Sequence, residues 1–338
     1  MLAYIIRRLV LGIFTIWAIS VLAFVIIELP EGDLATKRYD RTTFTAGEGA
    51  APAIMESMRQ YLGLNKPMYL RYSQWIWNML RHWDLGRSFG PTGNGLGYYV
   101  SVKQIIGNKI WMTVALTGFT MLVTWTLAIP IGIYSAIRQH SVGDYVFTFL
   151  GFSGLAVPDF LLGLILMYVA FAYFDMSVGG LFSADYQNAP WGLAKLTDLI
   201  NHLWIPAVVL GTSGTASLIR IMRNNLLDEL GKPYVVTARA KGMPPLNAIL
   251  KYPVRVAVNP LISTVGYLLP ALISGSVIVS VVLSLPTIGP VLLTAIQDED
   301  IYLAGFLVLA IGTLTVIGTM ISDILLALVD PRIKIVGG

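Results

Sequence analysis

Gly231-Lys232 is a place in this sequence where phosphate chemistry would be sought, but the upstream glycine of a G-x-x-x-x-G-K-[ST] loop is missing. Gly93-Asn94-Gly95-Leu96-Gly97 follows no strand and does not fit a dinucleotide fingerprint, so it reads as a turn. Ser153 and Ser213 stand beside glycines without the G-x-S-x-G spacing that exposes a nucleophile. His82, His140 and His202 fall far apart, in three different expected loops, and suggest neither a catalytic triad nor a metal cluster. The absence of cysteine removes disulfides, thiol catalysis and thiolate metal sites together. These residue types point away from an enzyme, and the chain is expected to bind no ATP, metal or other cofactor itself.

The elements that carry these residues are apolar. Of the 338 residues, 56% are hydrophobic and 12% charged, about half the charge of an ordinary soluble domain. With a mean hydropathy of +0.71, the chain reads as a membrane protein. A net charge of +4 gives no case for nucleic-acid binding. A helix needs roughly 20 apolar residues to cross a bilayer. Six segments meet or approach that length: 9–27, 111–133, 145–174, 204–222, 261–283 and 303–326. The first reads as an uncleaved anchor, because no small-x-small cleavage site follows it. The third is too long for one straight crossing and is interrupted at Pro158-Asp159. Proline removes a backbone hydrogen bond, so a kink within a single span is expected there.

Orientation follows from the short loops. Arg7 and Arg8 precede the first span, and Arg223, Lys232, Arg239, Lys241, Lys251 and Arg255 crowd the loop after the fourth. Positive charge of this kind stays in the cytoplasm, which also places both termini there if the spans number six. The division expected is an anchor at 1–29, an extracytoplasmic subdomain at 30–109, a five-helix core at 110–330 with a loop at 224–258, and a cytoplasmic tail at 331–338. Within 30–109, residues 46–52 look like linker, 54–64 and 68–80 have helical periodicity, and 89–97 is a glycine-rich turn. This is either a plain surface subdomain or a docking surface for an external binding protein.

The loop after the fourth span is the most informative stretch. Pro233 suits the first turn of a helix, Tyr234 to Lys241 is about two turns, and Gly242 can take the left-handed conformation that ends it. A further short helix is expected at 246–252, after Pro244-Pro245. Two turns alone are not stable in water and must dock on something. Ala238 and Ala240 allow close approach; Tyr234 and Arg239 can fill and charge-match a groove. The alternative is an interfacial connector lying on lipid headgroups.

Tyr234…Thr237-Ala238-Arg239-Ala240-Lys241-Gly242 resembles the cytoplasmic E-A-A…G loop of ABC importer permeases, in the version of the dipeptide/oligopeptide family. The likeness covers nearly the whole chain. It includes Ile5-Ile6-Arg7-Arg8, Leu62-Gly63-Leu64-Asn65-Lys66-Pro67, Asp84-Leu85-Gly86-Arg87-Ser88 and Val157-Pro158-Asp159-Phe160. It continues through Arg220 and Arg223, Leu285-Pro286…Gly289 and Asp330-Pro331-Arg332. The resemblance implies an all-α polytopic fold with six transmembrane helices and a cytoplasmic coupling helix, in a bacterial inner membrane. It implies a second, similar permease subunit, two ABC ATPase domains that bind the ATP and Mg, an extracytoplasmic solute-binding protein, and contact with membrane lipid. Tyr234, Thr237, Ala238, Arg239, Ala240, Lys241 and Gly242 are then the residues that couple to the ATPase. The cargo implied is oligopeptide or dipeptide, with oligosaccharide as the alternative in the same class. An ion-coupled secondary transporter is the alternative from another class; it would show internal repeats or intramembrane charged pairs.

Two places depart from the family pattern: Ser280 stands where a glutamate is usual, and Thr287 interrupts a Pro-Gly-x-Gly. Another stretch, Tyr252-Pro253-Val254-Arg255-Val256, replaces the usual His-x-Leu-Arg-Asn type. Pathway or gating candidates are Pro158 and Asp159 in the third span, and Ser213 and Thr215 in the fourth, where Gly211 to Ser217 are all small. Such a run serves either helix packing or a polar route. Asp323, near the cytosolic end of the sixth span, is expected to pair at the interface.

Overall fold

The computed structural model describes residues 2–28, 65–88, 100–174, 179–298 and 300–329. The expected linker at 46–52, the helical run at 54–64, the turn at 89–97 and the tail at 331–338 lie outside the described residues.

The fold is all-α and polytopic, with one two-stranded ladder among the described residues. Helix α1 is Leu2–Glu28 and α2 is Met68–His82. Strands β1 (Arg87–Ser88) and β2 (Val100–Ser101) pair antiparallel, Ser88 opposite Val100. Then come α3 (Val102–Ile106), α4 (Lys109–Ile137), α5 (Val142–Ala156), α6 (Asp159–Phe174) and α7 (Leu193–Leu230). Three short helices follow, α8 (Pro233–Ala240), α9 (Pro245–Lys251) and α10 (Pro253–Ala257). The last are α11 (Asn259–Val282), α12 (Ile288–Gln297) and α13 (Ile301–Val329). Among the described residues, four helices are singly long and apolar enough to cross a membrane, and up to six crossings result when each of two bent pairs counts as one.

The expected kink at Pro158 is a corner. Helices α5 and α6 meet at 107°. Val157, forced towards extended backbone by the proline after it, has φ −89° and ψ 126°, so the helical ladder stops outright. The fourth span also outgrows its apolar stretch. At 38 residues α7 is about 57 Å long, well beyond the ~30 Å of a bilayer's apolar core. His202, expected in a loop, therefore lies on this helix, as His82 lies on α2.

The chain divides into two compact units. One comprises Met1–Gly12, Lys109–Pro290 and Leu314–Gly338. Its axis is α7, packed along α4. The face that α4 offers is a stripe of small side chains at helical spacing: Thr113, Thr117, Thr120, Thr124, Ala128, Gly132 and Ala136, all buried. Small residues let the two backbones approach. A Cβ on Gly132 would stand 2.6 Å from the Met222 Cβ, and one on Gly211 2.8 Å from the Thr124 Oγ1. On another side of α7, Gly151 and Gly154 of α5 receive Ala216 and Thr212. Helices α11 and α13 are joined where Ser322 Oγ donates to the Ile262 carbonyl at 2.9 Å. Arg8 of α1 meets Asp323 of α13 at 2.8 Å, the pairing expected for Asp323.

The other unit comprises Ile13–Asn108 and Val291–Thr313. Phe24, Tyr72 and Trp75 form its aromatic core, with Ser20 and Tyr72 hydroxyls 2.7 Å apart. Asp300 accepts from the Ser88 hydroxyl at 2.5 Å and from the Leu303 N–H at 3.1 Å, so this buried carboxylate both caps α13 and anchors the ladder.

Candidate functional site

Helix α8 and its flanks hold all seven residues singled out for coupling. Lys232 is extended and Pro233 opens the helix, where no N–H is needed. The helix closes in a Schellman arrangement. Met243 N–H reaches back to the Ala238 carbonyl at 3.2 Å, Gly242 N–H goes to Arg239 at 2.9 Å, and Gly242 has φ +82°. No atom outside its own neighbourhood lies within 4 Å of where a Gly242 side chain would begin.

Val235 and Ala238, three apart, turn inward and are buried. Ala238 thus packs within the chain and is not available to an outside partner. Tyr234, Thr237, Arg239, Ala240, Lys241 and Gly242 are exposed. Between them stands Val236, 61% exposed, an apolar side chain that the motif alone did not flag. Tyr234 donates its hydroxyl to Glu229 at 2.5 Å, tying α8 to the end of α7. Burial, together with that hydrogen bond and the Glu229 charge, pushes the phenol up to about 12, so it stays a neutral donor. Beside α8 and α9 lies a groove of about 730 Å³ edged by Lys241, Lys251 and Arg255. The site is therefore a cationic, partly apolar face on a short helix held at both ends.

The pathway candidates lie elsewhere. Pro158 and Asp159 form the corner between α5 and α6, and Ser213 and Thr215 are half-buried on α7. No hydrogen bond among the described residues joins Asp159 to Ser213 or Thr215. Of the small-residue run, Gly211, Thr212, Gly214 and Ala216 are accounted for by packing against α4, α5 and Leu268 of α11.

Several polar contacts had no sequence signal, because their partners are distant or are backbone atoms. Arg223 grips Asp144 with two bonds, Nε to Oδ1 at 3.1 Å and Nη2 to Oδ2 at 3.0 Å, across 79 positions. This pair and Arg8–Asp323 are the charged pairs a secondary transporter would need, but both sit near helix ends: Arg223 in the last turns of α7, Asp144 in the first turn of α5. At the other end of α7, Lys195 is buried. Its ammonium donates to the Gln187 and Ala189 carbonyls at 3.2 and 2.7 Å and lies over the Phe182 and Trp191 rings. Nearby, Asp198 accepts from the Ser183 hydroxyl and N–H, and His202 Nδ1 contacts the Asp198 carbonyl at 2.8 Å. Among the described residues, no group of three or more His, Cys, Asp or Glu could hold a metal ion.

The sequence of this chain matches known families and proteins along its length. Residues 128–335 match the model of the binding-protein-dependent transport system inner membrane component, and residues 1–117 that of the N-terminal part of such membrane components. The oligopeptide transport system permease protein AppB of Bacillus subtilis is 34% identical, with 99% of this chain and 100% of AppB aligned. The dipeptide transport system permease protein DppB of Escherichia coli K12 is 28% identical over 99% of both chains. A putative peptide permease protein of Brucella ovis is 29% identical over 99% of this chain and all of its own length. With a family model covering more than half its length and a full-length relative above 30% identity, this multi-pass membrane chain belongs to the family of binding-protein-dependent transport system inner membrane components.

Proposed function

We propose that this chain is a permease subunit of an ATP-binding cassette importer that moves oligopeptides or dipeptides handed over by an extracytoplasmic binding protein. The observation that carries this reading is α8. It is a two-turn helix with an exposed face of Tyr234, Val236, Thr237, Arg239 and Lys241, locked by Gly242 and bound to the end of α7 through Tyr234 and Glu229. Such a helix takes a push and passes it to a span as a rigid body. Two ABC ATPase domains, which hold the ATP and Mg, supply the push, and a second, similar permease completes the pathway. The peptide cargo draws on the names of the relatives at 34%, 29% and 28% identity.

Positive charge around α8 supports a cytoplasmic position for this loop and, with six spans, for both termini. The Lys195 end of α7 then faces outward. The test is reconstitution of the chain with its ATPases, second permease and binding protein in liposomes. Peptide uptake requiring ATP is expected, together with loss of uptake in Gly242→Val while both permease subunits still insert. Uptake by this chain without ATPases would overturn the reading in favour of an ion-coupled carrier. Labelling gives the orientation. In the cysteine-free background, Gly47→Cys reacts with an impermeant reagent from outside and Lys241→Cys does not.

A further inference from the structure

Helix α2 presents three lines of side chains. Tyr72, Trp75, Ile76 and Met79 face the protein, in one cluster with Phe24 of α1 and Tyr302 of α13. Gln74, Asn78 and Arg81, four and three apart, form a polar line. The third line is Tyr69, Ser73, Trp77 and Leu80, spaced four, four and three. It is turned outward, with Tyr69, Trp77 and Leu80 70%, 58% and 74% exposed. The Ser73 hydroxyl donates to the Leu70 carbonyl at 3.0 Å, so this residue needs no partner outside its own helix. Arg81 stands at the seam of the polar and apolar lines, its guanidinium 5.5 Å from the Trp77 ring centroid. The helix has no carboxylate, and it ends at Trp83, which is also exposed. Aromatic side chains on an apolar line with a cation beside them are the pattern of a helix at a membrane–water boundary.

Depth says what covers the outward line. The Tyr72 hydroxyl lies 2.7 Å from that of Ser20 on α1. Ser20 is five residues inside the end of the apolar stretch Ile5–Val25, about 7.5 Å by helical rise. Beyond the other end of α2, the Gly86 backbone passes Tyr302, the first residue of the apolar stretch Tyr302–Leu328, and Ser88 donates to Asp300 just before it. The helix is thus fastened to two spans at the level where their apolar surface stops. Interfacial helices sink their apolar face about 5–10 Å into the boundary between headgroups and acyl chains, which matches the depth of Ser20. Leu22 of α1, itself exposed, continues the apolar surface of that span to the same level. A partner arriving from water meets the end of a span before it meets this line; lipid is already there.

We propose that α2 is an interfacial helix seated in the extracytoplasmic leaflet, with Tyr69, Ser73, Trp77 and Leu80 against lipid and Arg81 level with the headgroup phosphates. The seating rests on α1 and α13 being membrane spans; only the choice of leaflet rests on the orientation proposed above, and neither depends on transport. The test uses the assembled importer, with other subunits free of cysteine, in vesicles of phosphatidylethanolamine and phosphatidylglycerol. Ser73→Cys, Leu80→Cys and Asn78→Cys each take a nitroxide label; all three positions are exposed, so the variants should assemble. Relaxation is read with oxygen, which concentrates in the bilayer, and with a nickel chelate, which stays in water. Labels at 73 and 80 should respond to oxygen and be shielded from nickel, and the label at 78, on the polar line, should show the reverse. Adding the binding protein should change neither. A photo-crosslinker introduced by Trp77→benzoylphenylalanine should label phospholipid. Nickel reaching 73 and 80 as readily as 78 would overturn the proposal in favour of a face in water. Exclusion of both reagents from 73 and 80, shielding that appears only with the binding protein, or crosslinking to another subunit in place of lipid would overturn it in favour of a protein contact.

Discussion

Thr287 donates its hydroxyl to Ser280 at 3.0 Å, and both side chains are buried. These are two of the places where the chain departs from the family pattern, and the two side chains meet in one contact. The Ile288 N–H next to it bonds to Thr113 Oγ1 at 3.0 Å, so the turn after α11 is fastened to α4 by neutral hydroxyls. Thr287→Val or Ser280→Ala alone should cost about 1–3 kcal/mol, because a buried partner loses its bond. The double variant should cost less than the sum of the two. Ser280→Glu, restoring the family's usual residue, should be worse than either, since its carboxylate would enter a fully buried site. Unfolding temperatures in detergent would show this, and strict additivity of the two single changes would refute the pairing.

Gly242 separates coupling from folding. Its φ of +82° disfavours a β-branched residue by about 1–2 kcal/mol, while the space around it is open. Gly242→Val should therefore leave insertion and span packing intact and reduce ATP-dependent uptake sharply. Gly242→Asn, which tolerates the left-handed region, should retain most of it. Equal loss in both would mean that the backbone conformation is not what matters.

Tyr234 remains protonated across the working pH range, because its pKa stands at about 12. The bond to Glu229 is accordingly not lost on raising pH to 9. Tyr234→Phe removes it without changing the ring. A lower ratio of transport to ATP hydrolysis in that variant, with hydrolysis itself intact, would place Tyr234 in the transmission step; an unchanged ratio would exclude it.

Breaking the Asp144–Arg223 pair should be costly in an asymmetric way. Asp144 is the buried partner, so Arg223→Ala strands a carboxylate and should destabilise by about 3–5 kcal/mol, the range for an uncompensated buried charge. Arg223→Ala with Asp144→Ala together should recover much of that loss in yield and unfolding temperature.

The α4–α7 seam depends on a missing side chain. Gly132→Ala places a methyl 2.6 Å from the Met222 Cβ and 3.1 Å from the Ile219 carbonyl oxygen, neither of which can swing away. A loss of about 1–3 kcal/mol is expected, typical of overpacking. Gly118→Ala on the same helix, with nothing within 4 Å, is the control and should be neutral.

Much of this architecture was legible because membrane spans are read from long apolar runs, and because Pro233 and Gly242 bracket a helix by backbone preference alone. The severity of the corner at Pro158 was not. A proline shows that the hydrogen-bond ladder breaks, while the 107° angle depends on what each half packs against. The true length of α7 was hidden too: beyond its apolar stretch it continues through polar residues such as Lys195, Asp198 and Asp228, held by tertiary contacts and not by hydropathy. The Thr113-Thr117-Thr120-Thr124 stripe was readable as a helix face, but its partner was not. The Asp144–Arg223 bond and the carbonyl cage around Lys195 left no local trace, since one spans 79 positions and the other uses main-chain oxygens.

The uninterrupted run of α7 from Leu193 to Leu230 has a mechanical consequence. A lysine clamped by two carbonyls and two aromatic rings fixes one end, and a tyrosine–glutamate bond carries the docking helix at the other. Pro206 removes one backbone bond within this helix and lets it flex there, yet a helix gripped at both tips still ties the movement of one to the other. Occupancy on the Lys195 side and engagement of α8 would thus be reported to each other by geometry, with no relay of intermediate side chains.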